Sequence, residues 1–343
     1  MKHSIVLFSL IILFCACSES TVKTKIVTEF PKTELLHARV YKIPEPILIP
    51  LSICSTDSNL LIYKEKENQL FSIFSLPDCS YLGSFGERGQ GPNDFGVLDP
   101  RSFQSTETGF KVLELGSAIL KTVAFEDNKL SVVHSEKMIQ SPELSNGFYP
   151  LSDSVYLTFG EIAKQNEFTL FNKKSKTVTE KGSYPQWGAS EIMEPSQLFF
   201  TYLKVCVVHP GGQKFAAFYS RFKRLRIYDS SVTLLHDINV QIEPCSTNFE
   251  VEMNKRPIYY IGRPQAIGDY IYALCANSEG YGPEISGSYE LQVWDWDGNP
   301  TACYQFDRRV SVLTISEKHN KIYALDMFND DELYVYDLPK LKK

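Results

Sequence analysis

Ile322-Tyr323-Ala324-Leu325 and Leu333-Tyr334-Val335-Tyr336-Asp337 form a pair of short runs rich in β-branched and aromatic residues. The same pairing occurs five times upstream: 60–63 with 69–74, 110–113 with 120–125, 155–159 with 167–171, 215–218 with 225–229, and 271–274 with 291–295. The first runs begin 50, 45, 60, 56 and 51 residues apart. Alternation within the second runs sends every other side chain to the same sheet face, as half-buried strands require. Asp229, Asp295 and Asp337 end their runs, where a carboxylate can bond the backbone of a turn. Asp297-Gly298 reads as a hairpin turn. No segment carries a sustained helical period. Six units of this length fit blades of four antiparallel strands, so the expected fold is all-β, a six-bladed β-propeller.

The two ends of the chain suggest how the ring closes. The sixth unit offers runs at 310–315, 322–325 and 333–336, followed only by Leu338-Pro339-Lys340-Leu341-Lys342-Lys343. A fourth strand does not fit there. Residues 35–43 supply a spare strand-like run ahead of the first unit's own 47–53. The expectation is that this N-terminal strand completes the last blade and removes an exposed edge.

Composition narrows the function classes. The 343 residues are 43% hydrophobic, enough for a substantial core, which excludes wholesale disorder. With 35 Lys+Arg against 41 Asp+Glu, the net charge is −6 and no basic block occurs. Nucleic acid is therefore not an expected partner, because it demands clustered cations. Residues 5–14 are apolar except for Ser9, too short to span a bilayer but suited to a signal peptide.

Two resemblances sharpen this reading. Phe14-Cys15-Ala16-Cys17 resembles a bacterial lipobox, with small Ala16 before the modified cysteine. The resemblance implies removal of residues 1–16, lipidation of Cys17 and a membrane anchor. Ser18 differs from the Asp that resembles an inner-membrane retention signal, so an outer-membrane lipoprotein of the cell envelope is expected. Polar residues 17–33 read as a tether, and 34–343 as the propeller. Gly83-Ser84-Phe85-Gly86-Glu87-Arg88-Gly89-Gln90-Gly91-Pro92-Asn93-Asp94-Phe95 resembles the blade-linking motif of TolB-like six-bladed propeller lipoproteins and NHL-repeat proteins. The stretch from Arg263-Pro264 to Leu274 resembles their recurrent lead into an inner strand. These motifs imply a fold and bring no catalytic residues with them.

Chemistry is harder to locate. After maturation six cysteines remain (Cys54, Cys79, Cys206, Cys245, Cys275 and Cys303), open to 15 disulfide connectivities or to buried free thiols. There is no CxxC, HExxH or GxSxG, so zinc and serine-hydrolase readings are weak. The glycines at 86–91 lack a Gly-Lys-Ser/Thr ending and suit tight turns better than a phosphate cradle. Arg88, Asp94, Trp187 and Arg263 are the candidate ligand-binding residues, with Trp187 in an aromatic loop that offers either a stacking surface or interblade packing. No catalytic residue, cofactor or metal is expected, although calcium could be gathered from carboxylates of several blades. The favoured function is a membrane-anchored binding or scaffold module for a protein, peptide or glycan. A metal-dependent hydrolase or lactonase using the central channel is the alternative, and an envelope sensor or assembly factor a third.

Overall fold

The computed structural model describes residues 22–138, 147–187, 193–243, 257–280, 282–284 and 286–341. The signal segment, Cys17 and Cys245 lie outside the described residues.

The chain forms six sheets arranged as a propeller, each built on four antiparallel strands. Blade 1 comprises Pro50–Ser55, Asn59–Lys64, Gln69–Ser75 and Tyr81–Glu87. Blade 2 comprises Gln104–Ser105, Gly109–Glu114, Ile119–Glu126 and Lys129–Lys137. Blade 3 comprises Tyr149–Pro150, Val155–Phe159, Asn166–Asn172 and Thr177–Ser183. Blade 4 comprises Lys204–Val208, Lys214–Tyr219, Arg224–Asp229 and Leu234–Val240. Blade 5 comprises Ile258–Ile267, Tyr270–Ser278, Glu290–Asp295 and Pro300–Phe306. Blade 6 takes Val312–Ser316, Lys321–Leu325 and Glu332–Asp337 from the C-terminal end and Arg39–Lys42 from the N-terminal end. The paired runs of the sequence are the second and third strands of each blade.

The N-terminal strand does complete the last blade. Arg39–Lys42 lies antiparallel to Glu332–Asp337, with Val40 opposite Tyr334. The N-terminal segment contributes two further strands. Thr24–Val27 runs parallel to the outer strand of blade 4, and Thr33–Leu36 parallel to that of blade 5. Residues 24–33, expected within the tether, thus include a strand of the ring.

Hydrophobic side chains pack between blades rather than about one centre. Six clusters of buried residues each join two neighbours in the ring. Between blades 4 and 5, for example, Phe218 and Ile227 pack with Ile271 and Trp294. Rings meet edge-on or tilted at these seams, as at Phe168–Tyr228 and Phe218–Tyr260. Buried ion pairs cross two of them, Lys204–Glu167 at 3.3 Å and Lys223–Glu290 at 3.6 Å. The Asp turns work as their sequence suggests: Asp229 Oδ1 accepts the Ser231 and Thr233 N–H groups, and Asp295 Oδ1 those of Asp297 and Asn299. Cys54, Cys79, Cys206, Cys275 and Cys303 are buried free thiols. No helix among the described residues is long and apolar enough to cross a membrane.

Candidate functional site in the central channel

The inner strands of the blades surround a channel that holds two chambers, of about 380 and 470 Å³. Both volumes fall in the small-ligand range of roughly 300–1,000 Å³. The first, or upper, chamber is bordered by the starts of inner strands, including Pro50, Val205 and Val312. It therefore opens on the face that carries the blade-to-blade connections. The lower chamber is bordered by the ends of inner strands, including Ser55, Val208 and Ile315.

Their linings differ in character. Leu51, Val205, Ile261, Val312, Met327 and Phe328 make the upper chamber largely apolar. Ser55, Gln104, Ser105, His209, Gln265 and Thr314 make the lower one polar. Gln265 is fixed there: its Oε1 accepts the Ile315 N–H at 3.0 Å, and its Nε2 donates to the Leu313 carbonyl at 3.1 Å.

Four residues border both chambers and so form the waist between them: Ile53, Leu313, Arg101 and Arg263. Local backbone features place both arginines. On the inner strand of blade 5, Ile261 opposes Leu274 and Gln265 opposes Tyr272. Gly262, Arg263 and Pro264 thus bulge out opposite the single Ala273. Gly262 has φ +64°, which glycine adopts without steric cost. Pro264 has no N–H to lose from the ladder. Such bulges re-aim a side chain, and here Arg263 reaches the channel.

Arg101 comes from a different device. The inner strand of blade 2 is only Gln104–Ser105, and a 3₁₀ turn, Pro100–Ser102, precedes it. Asp99 caps this turn, its Oδ1 accepting the Arg101 N–H at 3.0 Å and lying 3.3 Å from Arg101 Nε. Ser102 Oγ donates to the Asp99 carbonyl and accepts the Leu113 N–H, which locks the turn to the blade.

The waist is positively charged: two guanidiniums lie around the Asp99 carboxylate. Burial pulls the Arg263 guanidinium below its ordinary value, while Cys54, Tyr149 and Asp99 oppose that pull. Arginine remains a cation even so. Burial pushes the Asp99 carboxyl up, and Arg101 then Arg263 hold it back. Guanidiniums lining a channel suit carboxylate or phosphate recognition.

Of the residues singled out from sequence, Arg263 lines the channel and the other three line neither chamber. Arg88, in the connection from blade 1 to blade 2, donates from Nη2 at 2.8 Å to the carbonyl of Glu65 in a loop within blade 1. Asp94 folds back on its own loop and accepts the Gly91 N–H at 2.8 Å. A Cβ on Gly89 would lie 2.2 Å from Asp94 Oδ2, so a larger residue there would push the Asp94 carboxylate from its present place. Trp187 packs against Tyr219 and Phe222, with the Arg224 guanidinium 3.9 Å from its ring centre. Arg101 and Asp99 were missed, although Asp99-Pro100 is a recognisable cap followed by a first-turn proline. Among the described residues no group of three or more His, Cys, Asp or Glu is placed to hold a metal ion.

Comparison with known proteins agrees with this architecture. The sequence profile of the TolB-like 6-blade propeller-like family matches residues 28–318. A member of the DUF4221 family from Bacteroides vulgatus superposes with a TM-score of 0.56 at 12% identity, covering 88% of this chain and 97% of its own. A protein of Bacteroides fragilis described as exported gives 0.54 at 10% identity, covering 93% and 100%. A luciferin-regenerating enzyme gives 0.50 at 10% identity, covering 89% and 97%. At such identities the likeness is one of fold alone. No curated protein matches the sequence.

Proposed function

This chain belongs to the TolB-like 6-blade propeller-like family, and on that premise we propose that it is a binding module of the cell envelope whose ligand sits in the central channel. Arg101 and Arg263 grip an anionic group of the ligand at the waist. The observation that supports this reading is the placement of both guanidiniums where the two chambers meet. Lipid on Cys17 would hold the module on the outer membrane, as the lipobox resemblance implies. A relative of the same fold described as exported is in keeping with an extracytoplasmic location.

The metal-dependent hydrolase or lactonase draws no support from the channel, because two guanidiniums repel a divalent cation at the waist. A binding module needs no reacting group there.

Thermal melting with small probes tests the reading. Acetate, succinate and inorganic phosphate should raise the melting temperature, while glycerol and ethylammonium should not. Replacing either arginine, by Arg101→Gln or Arg263→Gln, should weaken anion binding at least tenfold, since a charge-assisted bond contributes about 1.5–3 kcal/mol. Equal stabilisation by neutral and cationic probes, or anion binding that survives both substitutions, would refute it.

A further inference from the structure

The two chambers are not equivalent, and neither are the two faces of the ring. Leu48, Val97, Ile162, Phe200 and Phe328 are exposed large hydrophobic residues. Each lies in a blade-to-blade connection or in a loop between the second and third strands of a blade. A second strand runs back toward the start of its inner strand, so all five belong to the upper-chamber face. The other exposed large hydrophobics, Ile26, Leu35, Val40, Val133 and Val178, lie on outermost strands. Among the described residues the lower face carries none. Phe328 and Met327 also line the upper chamber itself. An apolar rim at Met327 and Phe328 therefore leads into an apolar chamber whose floor is the pair of guanidiniums.

The geometry points to an amphiphile as the ligand: a carboxylate at the waist with a hydrocarbon body in the upper chamber, entering from the Phe328 face. This deepens the anion-binding reading and rests on it. A purely polar anion would leave the apolar lining wetted, whereas a chain there gains about fourfold in affinity per buried methylene. The approach also sets orientation. A head group aimed at the floor meets Arg101 and Arg263, whereas a reversed molecule would bring its tail against charge and leave its carboxylate at the apolar rim.

Calorimetry on the soluble chain beginning at residue 22 separates the two claims, with decanoate, acetate and decanol as probes. Decanoate should bind at least tenfold more tightly than acetate and than decanol. Arg263→Gln should weaken decanoate at least tenfold. Phe328→Ser, at a position already 43% exposed and so tolerant of change, should weaken decanoate severalfold and leave acetate unaffected. Val178→Ser, on the outer strand of blade 3 and 42% exposed, should alter neither. If acetate binds as tightly as decanoate and Arg263→Gln abolishes both, the anion site stands and the amphiphile is overturned. If no anion binds, both claims fall. Decanoate binding indifferent to Arg263→Gln and Phe328→Ser lies elsewhere on the protein and also overturns the inference.

Discussion

At Gly262 the backbone adopts φ +64°, a conformation that costs an ordinary L-residue roughly 1–2 kcal/mol. That local choice, with Pro264 two residues on, sends Arg263 toward the axis instead of into the ladder. The sequence displays Gly-Arg-Pro plainly, yet nothing local says that the bulge faces a channel. Asp99 on the facing blade is equally local in origin. Its Oδ2 is buried without a hydrogen-bond donor among the described residues, and burial raises its carboxyl pKa. The native state therefore holds this proton more tightly than the unfolded chain, whose aspartate titrates near 3.9. Stability falls as pH rises from that value through the raised one. Asp99→Asn removes the titration and keeps a competent cap. Melting between about pH 4 and pH 7 should show the wild type losing ground to the variant as pH rises. A difference flat in pH, or one growing in the wild type's favour, would contradict the assignment. At pH 7 the variant should also bind carboxylates about tenfold more tightly, a gain of about 1.4 kcal/mol, because Asp99 no longer competes for the guanidiniums.

Among the elements, the second and third strands were the legible ones. Runs such as Ile322-Tyr323-Ala324-Leu325 are packed on both faces between neighbouring blades, so hydrophobicity announces them. Inner strands were harder to read, because Gln104–Ser105 has only two residues and Ile258–Ile267 is broken by its bulge. The channel site was correspondingly obscure: Arg101 and Arg263 are 162 residues apart in sequence and meet only through closure of the ring. That closure depends on the N-terminal strands. Leu36 and Ile43 are 6% and 7% exposed, and the Ile43 N–H donates to the Asp331 carbonyl at 2.9 Å. Burying two such side chains contributes about 3–6 kcal/mol, a large share of a typical total of about 5–15 kcal/mol. A chain beginning at residue 44 should therefore melt far lower than one beginning at 22, and should associate through the bared edge of Glu332–Asp337. A chain beginning at 31 keeps the clasp but loses the strand on blade 4, buried Val27 and the Phe30–Trp294 contact; it should melt lower than the chain beginning at 22 yet higher than the one beginning at 44. Equal melting of all three by calorimetry and size exclusion would show that the clasp is dispensable.

For the whole molecule, the strand Thr24–Val27 changes what an anchor on Cys17 would do. Only residues 18–23 lie between Cys17 and the edge of blade 4. At about 3.3–3.6 Å per extended residue, their reach is at most roughly 20 Å. A tether running to residue 33 would let the ring tumble freely, whereas a lipid on Cys17 would, through this shorter one, keep blade 4 nearer the bilayer than blade 1, which faces it across the ring. Ser231 and Ser80 are exposed and occupy equivalent turns of blades 4 and 1, before the outer strand of each. In a Cys245→Ser background single cysteines at these two sites can be labelled selectively, because the five described thiols are buried and burial pushes that of Cys54 up to about 12. In vesicles carrying the mature protein, a fluorophore at Ser231→Cys should be quenched by lipid-borne acceptors more strongly than one at Ser80→Cys. Cys17→Ser should release the protein from membranes and abolish both signals. Equal quenching would mean that blade 4 is not the tethered side. Membrane retention of Cys17→Ser, or a mature mass without acyl chains, would mean that Cys17 is not the anchor.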